Sequence, residues 1–174
     1  MTITMSKALF ISIKDLKRKS SIDGSVDPDK LVQYIEVAQD VRVQNYLGGK
    51  LYKKLQSLIV DGTIGEEANA DYKLLLDDYI KPMLIWYTQS EVIPFLNFNV
   101  SNGGVFKNVP ENTVAMTQEE LSYMMRKIND TAEFYTRRFV DYMSYNSTLY
   151  PEYTGNQDED MYPDRDYNFT GWVL

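Results

Sequence analysis

Between Leu121 and Met143 one apolar stripe recurs at intervals of three and four residues: Leu121, Met124, Met125, Ile128, Ala132, Tyr135, Phe139, Tyr142 and Met143. Only an α-helix carries such a series on a single face. Thr117 with Glu120 makes a capping box just ahead of it. The spacing therefore predicts a helix over about 118–148, the longest element of the fold. A chain whose longest segment has this period must build its core from helices.

Other segments repeat the pattern. Asp27 can cap a helix with Pro28 at its first position and Asp29 in its first turn. Leu31, Tyr34, Ile35, Ala38, Val41 and Asn45 then share one face, giving a helix over about 28–46 that Gly48 and Gly49 end. A shorter helix with Leu51, Tyr52, Leu55, Leu58 and Ile59 follows and stops near Gly62, so the two are expected to form a helical hairpin. From Ala70 the positions Tyr72, Leu75, Leu76, Tyr79, Ile80, Met83, Trp86 and Tyr87 are again helical. Between Met83 and Leu96 nearly every side is apolar, which marks a buried central helix, kinked or broken at Pro82 and ended by Pro94. The Asn- and Gly-rich stretch 97–113 has no helical period and predicts a loop or short hairpin turning at Asn102 and Gly103. Residues 9–20 read as an extended arm leading to one helical turn.

The expected fold class is all-α: a bundle of about four main helices, with long central and C-terminal helices. A body over 1–149 includes a short extended N-terminal arm (1–26), and an extended tail follows over 150–174. A single core is the expectation for 174 residues with 44% hydrophobic and 25% charged side chains. The longest uninterrupted apolar run is Met83 to Tyr87, far below the roughly 20 residues of a membrane span, and the first residues lack the basic and apolar regions of a signal peptide. No membrane association is expected.

There is no cysteine and no histidine. This removes disulfides, thiolate nucleophiles, Cys-based metal sites, the commonest general base and the Ser-His pair. The remaining acids give little chemistry. Asp77 with Asp78, and Glu119 with Glu120, are helix neighbours about 100° apart and cannot share a proton, so they read as solvated faces. Asp164, Asp166 and Asn168 match the first three ligand positions of a calcium-binding loop, but Phe169 stands where that loop needs glycine. Leu47–Lys50 lacks phosphate-loop spacing and follows a helix where a strand is required. Glu91 lies in an apolar stretch and calls for a partner, such as an arginine of the last helix or a group at a subunit boundary. No catalytic, cofactor-binding or metal-binding residue is assigned, and no cofactor is expected.

The net charge is −7, and the tail from Tyr150 holds six acids against the single base Arg165. Acidity argues against sequence-specific nucleic-acid binding. It is also clustered, whereas an acidic DNA mimic would spread its charge over the whole surface. The tail carries aromatic residues that a solvated disordered segment should lack. Tyr162, Tyr167, Phe169 and Trp172 are expected partner anchors, with Asp158, Glu159 and Asp160 facing basic groups. The arm's Lys14, Lys17, Arg18 and Lys19 form a second candidate contact, for an acidic protein segment in preference to DNA phosphates. More apolar surface than the core can cover is expected on Tyr- and Met-bearing faces of the central and last helices. Deleting 150–174 is expected to leave the body folded and weaken attachment to a partner.

The stretch VQYIEVAQDVRVQNYLGGKLYKKLQ, then YKLLLDDYIKPMLIWYTQSEVIPFLNFNVSNGGV and a final long helix, resembles the head-to-tail connector (adaptor, neck ring) proteins of tailed bacteriophages, especially those infecting Bacteroidetes. The resemblance covers about residues 8–150. Its marks are a Leu-Gly turn between helices, a Tyr- and Pro-containing central helix ending in Pro-Phe-Leu, and an Asn-Gly-Gly-Val loop. It implies a virion subunit assembled in the host cytoplasm: a homo-oligomeric ring of twelve copies docked beneath the portal protein and contacting other neck or tail rings. DNA would pass through its channel without being read. The alternatives are another protein-binding module, such as an acidic DNA-mimic inhibitor, a different neck or tail-completion ring, and an enzyme working on carboxylates, Lys or Tyr.

Overall fold

The computed structural model describes residues 7–22, 24–96, 98–101, 104–107, 116–155 and 161–166. The fold is all-α apart from one hairpin. Its helices are α1 (Ile13–Lys19), α2 (Pro28–Ala38), α3 (Gln44–Val60), α4 (Ala70–Leu74), α5 (Lys81–Val92), α6 (Gln118–Asn146) and α7 (Pro151–Thr154). Strands β1 (Phe98–Ser101) and β2 (Gly104–Lys107) pair antiparallel, Ser101 opposite Gly104. The connecting Asn102 and Gly103 lie outside the described residues.

The caps read from the sequence are in place. Thr117 accepts from the Glu120 N–H at 3.2 Å and the Glu120 carboxylate accepts from the Thr117 N–H at 2.9 Å, so α6 opens on a capping box. Asp27 caps α2 by accepting from the Asp29 N–H at 3.0 Å, ahead of Pro28. A second capping box, Ser12 with Asp15, starts α1.

The helix expected over 28–46 is continuous but not uniform. A π-helical turn, Gln39–Val43, joins α2 to α3, and the break falls at Gly48, whose φ of 73° and ψ of 165° only glycine adopts without strain. Beyond it α3 brings Tyr52 back against the π turn. Gln39, fully buried, donates to the Tyr52 hydroxyl at 3.0 Å, and that hydroxyl donates to Asp40 at 2.7 Å. Gln39 also binds the N-terminal arm, accepting from the Phe10 N–H at 2.7 Å and donating to the Ala8 carbonyl at 3.0 Å. Gln56 of α3 completes the clasp by exchanging two hydrogen bonds with the Ala8 backbone, at 2.6 and 2.8 Å. Two glutamine amides thus do for this extended segment what a neighbouring strand would do.

Pro82 produces neither a break nor the end of the helix. The chain widens into a π-helical segment, Leu75–Ile80, between α4 and α5, and this relieves the clash of the proline ring with the preceding turn. Asp77 in that segment is ion-paired to Lys73 and, at 2.6 Å, to Lys81, so it is not a free acid on a solvated face. A 3₁₀ turn over Ile93–Phe95 closes the element at Pro94.

Helix α5 is the centre, as its all-round apolar character predicts. Met83, Leu84 and Ile85 are buried in succession, with α2 packed on one flank and α6 on another. The buried polar groups among them are satisfied: Tyr87 and Thr136 share a 2.9 Å hydrogen bond between α5 and α6, and Gln89 accepts from the Ser21 N–H at 3.1 Å.

The division at 149/150 is corrected. Tyr150 is fully buried and Tyr153 is 3% exposed, so α7 belongs to the body's core. The Tyr150 hydroxyl donates to the Asp71 carbonyl at 3.0 Å and lies 2.9 Å from that of Tyr142, while its ring packs edge-on to Tyr72. Periodicity could not show this, because the aromatic residues after Pro151 fall outside any helical repeat.

Two outcomes follow. Tyr150→Ala should cost about 3–5 kcal/mol in urea unfolding, as for other large buried aromatics, and a chain ending at 149 should be similarly weakened; unchanged stability of either would refute the placement. Burial, first among the causes, also holds the hydroxyls of Tyr46, Tyr52, Tyr72 and Tyr150 protonated well above the ordinary tyrosine value of 10.0. Groups raised in this way stabilise the fold fully below their unfolded pKa, and that stability is lost as pH rises through the folded one. In an alkaline titration the tyrosinate absorbance of these residues should appear together with loss of helical circular dichroism, not ahead of it.

Candidate assembly surfaces

The helix break at Gly48 leaves backbone groups without helical partners, and the C-terminal segment supplies them. The Gly49 N–H donates to the Met161 carbonyl at 2.9 Å, and the Asp164 N–H donates to the Asn45 carbonyl at 2.8 Å. Pro163 lies between, so close over Gly48 that an added Cβ would sit 2.7 Å from its Cδ and Cγ. Glycine is needed here twice, for its positive φ and for the approach of the proline. Arg165 then lays its guanidinium 5.5 Å from the ring centre of Tyr153. Residues 161–166 are therefore latched onto their own body. The expectation that Tyr150–Leu174 as a whole docks elsewhere is corrected for this part.

Beside the latch is a cleft of about 430 Å³ lined by Arg42, Tyr46, Tyr87, Asn129, Glu133 and Asp164, among others. Glu91 has its partner at this edge: Arg42 donates from Nε at 2.9 Å and stands 5.8 Å from the Tyr87 ring centre. The partner is neither an arginine of the last helix nor a group at a subunit boundary, the two sources considered from the sequence; the π turn before α3 provides it. Its source could not be read from spacing, since only the packing of α2 on α5 brings the two together. Burial, then the nearby Tyr87, Asp164 and Glu133, push the Tyr46 hydroxyl up, so it acts as a hydrogen-bond donor and not as a base.

The basic residues of the arm divide. Lys17 is used internally, donating from Nζ to the carbonyls of Gly24 at 2.7 Å and Val26 at 2.9 Å, whereas Lys14, Arg18 and Lys19 are exposed. Among the tail anchors, Tyr162 is described and is 64% exposed. Tyr167, Phe169, Trp172, Asp158, Glu159 and Asp160 lie outside the described residues, as does Asn168 of the calcium-like triplet. Among the described residues no cluster of acids could hold a metal ion, and no helix is long and apolar enough to cross a membrane.

Outward apolar side chains occur at the ends of the expected central helix, at Leu74, Phe95 and Leu96, but not within α5 itself. The core face of α6 uses Ile128, Ala132, Phe139 and Met143, while its opposite face carries Tyr123, Phe134 and Tyr145 at 61%, 56% and 87% exposure. Val41, on the π turn, is 60% exposed as well. The three aromatics were missed because they belong to no three-and-four series. Their signal was a uniform spacing of eleven.

An all-α module with an outward aromatic face on its longest described helix is the class that these features define. A family model described as "Family of unknown function (DUF6712)" matches residues 43–161, more than half of the chain, and the chain belongs to that family. No curated protein matches it, and no solved structure does.

Gly48→Ala should strain the backbone by about 1–2 kcal/mol at the left-handed position and displace Pro163. Limited proteolysis should then cut the C-terminal segment faster, and Pro163→Gly added to that variant should relieve the overlap but not the backbone strain. Wild-type melting and protease resistance in Gly48→Ala would rule the latch out.

Proposed function

We propose that this chain is a structural subunit of a tailed-bacteriophage virion. In this reading it is a head-to-tail connector that forms a ring of twelve copies beneath the portal protein, meets other neck or tail rings and continues the DNA channel toward the tail. It works by packing and not by catalysis. The order of elements over residues 8–150 supports this reading through its resemblance to connector proteins. The observation that carries it is the outward aromatic stripe of α6, Tyr123, Phe134 and Tyr145, with Val41 exposed at the π turn. A ring needs two unlike surfaces on each subunit, because its contacts run head to tail.

The exposed Lys14, Arg18 and Lys19 serve as contacts to an acidic segment of a neighbouring protein. The acidic stretch Asp158–Asp160 and the aromatics Tyr162, Tyr167, Phe169 and Trp172 serve as contacts to the portal or an adjacent subunit. DNA passing the ring meets an acidic chain that does not hold it. Cryo-electron microscopy of portal-containing particles should find the chain as a ring at the neck, and the mass of the portal complex in native mass spectrometry should exceed that of the portal alone by a multiple of the 20.2 kDa subunit. Particles with a complete neck that lacks the chain would overturn the proposal.

A further inference from the structure

The outward stripe of α6 has an internal symmetry that a docking face for an unrelated partner would not need. Tyr123, Phe134 and Tyr145 are eleven residues apart. Eleven residues make three helical turns plus about 20°, so the stripe runs almost parallel to the helix axis with about 16 Å between successive rings. Reversing the helix about Phe134 superimposes the pattern on itself. Tyr123 then comes opposite Tyr145, and Phe134 opposite Phe134. The charges between them become complementary: Lys127 faces Asp141, and Asp130 faces Arg138, with Arg137 one residue away. A parallel pairing in register would set like charges together, Lys127 on Lys127 and Asp141 on Asp141.

The side chains are placed to be used in this way. Lys127, Asp130, Arg138 and Asp141 are all exposed. Lys127 already lies 5.8 Å from the Tyr123 ring centre, and the Arg138 guanidinium flanks the stripe over the rings of Tyr79 and Tyr135. The core face of α6 points the other way, so two bodies joined through this stripe lie on opposite sides of the helix pair. We infer that the stripe docks on a second copy of this chain, two α6 helices pairing antiparallel about a two-fold axis at Phe134.

This inference does not rest on the connector reading. A ring propagates through unlike surfaces, whereas this contact is two-fold and closed, so the dimer occupies the stripe in place of any ring contact there and the two exclude each other. The three rings at roughly 150–250 Å² each stay below the roughly 800 Å² per partner of a standard stable interface. The pair should therefore separate on dilution, leaving α6 free for other contacts.

Sedimentation equilibrium of the full chain from millimolar to micromolar concentration should show monomer and dimer in exchange. Phe134→Asp should weaken the dimer roughly a hundredfold while leaving the circular dichroism spectrum and melting unchanged. Lys127→Glu should weaken it as well, and adding Asp141→Lys to that variant should restore it. The chain has no cysteine, so cross-linking can read the orientation. A Tyr123→Cys chain mixed with a Tyr145→Cys chain should form disulfide dimers between the two. Neither alone should do so, its own pair of thiols being about 33 Å apart across the dimer. A monomer at every concentration, a dimer indifferent to Phe134→Asp, or ready cross-linking of Tyr123→Cys to itself would each overturn the inference.

Discussion

Everything in this fold depends on burying α5. A helix apolar on nearly every side cannot rest at a surface, so other elements must cover it from several directions at once. Helices α2 and α6 do this from separate flanks, and the Tyr87–Thr136 and Ser21–Gln89 hydrogen bonds satisfy the polar groups sealed in with it. Each covering helix gives one face to α5 and turns the other outward. The outward character of α6 is thus a direct result of the central helix having no polar side of its own.

The two π-helical segments serve the same packing. The first ends α2 and directs Gln39 inward, where one amide joins the arm, the π turn and α3. The second absorbs Pro82 without interrupting the path from α4 to α5. A buried amide with every hydrogen-bonding group satisfied is a specific device, since each partner lost would leave a polar atom stranded in an apolar interior.

What could be read from residue order was whatever depends on neighbours within one element. The stripe of α6, its Thr117–Glu120 cap, the Asp27–Pro28 start and the stop at Gly48 all follow from local rules, and of the loop or short hairpin expected over 97–113 the strands 98–101 and 104–107 are paired. The π turns were not legible, because a one-residue widening hardly disturbs an apolar period. Gln39 and Gln56 look like ordinary helix-surface residues until the arm is laid across them. Tyr150 and Tyr153 read as part of a docking tail, because composition registers aromatic content without saying whose core it fills. Glu91 was recognised as needing a partner, but the identity of Arg42 is a tertiary fact. The outward aromatics, eleven residues apart, form no apolar series at spacings of three and four.

Gly48 has a consequence for how the chain comes into being. The carbonyl of Asn45 and the amide of Gly49 find their partners in Asp164 and Met161, which leave the ribosome long after α3 itself. Until those residues emerge, the elbow between the two parts of α3 is open and its backbone groups must bond to water. Closing the elbow therefore requires the chain to have been made past residue 164, and a product stalled before that point keeps the elbow open.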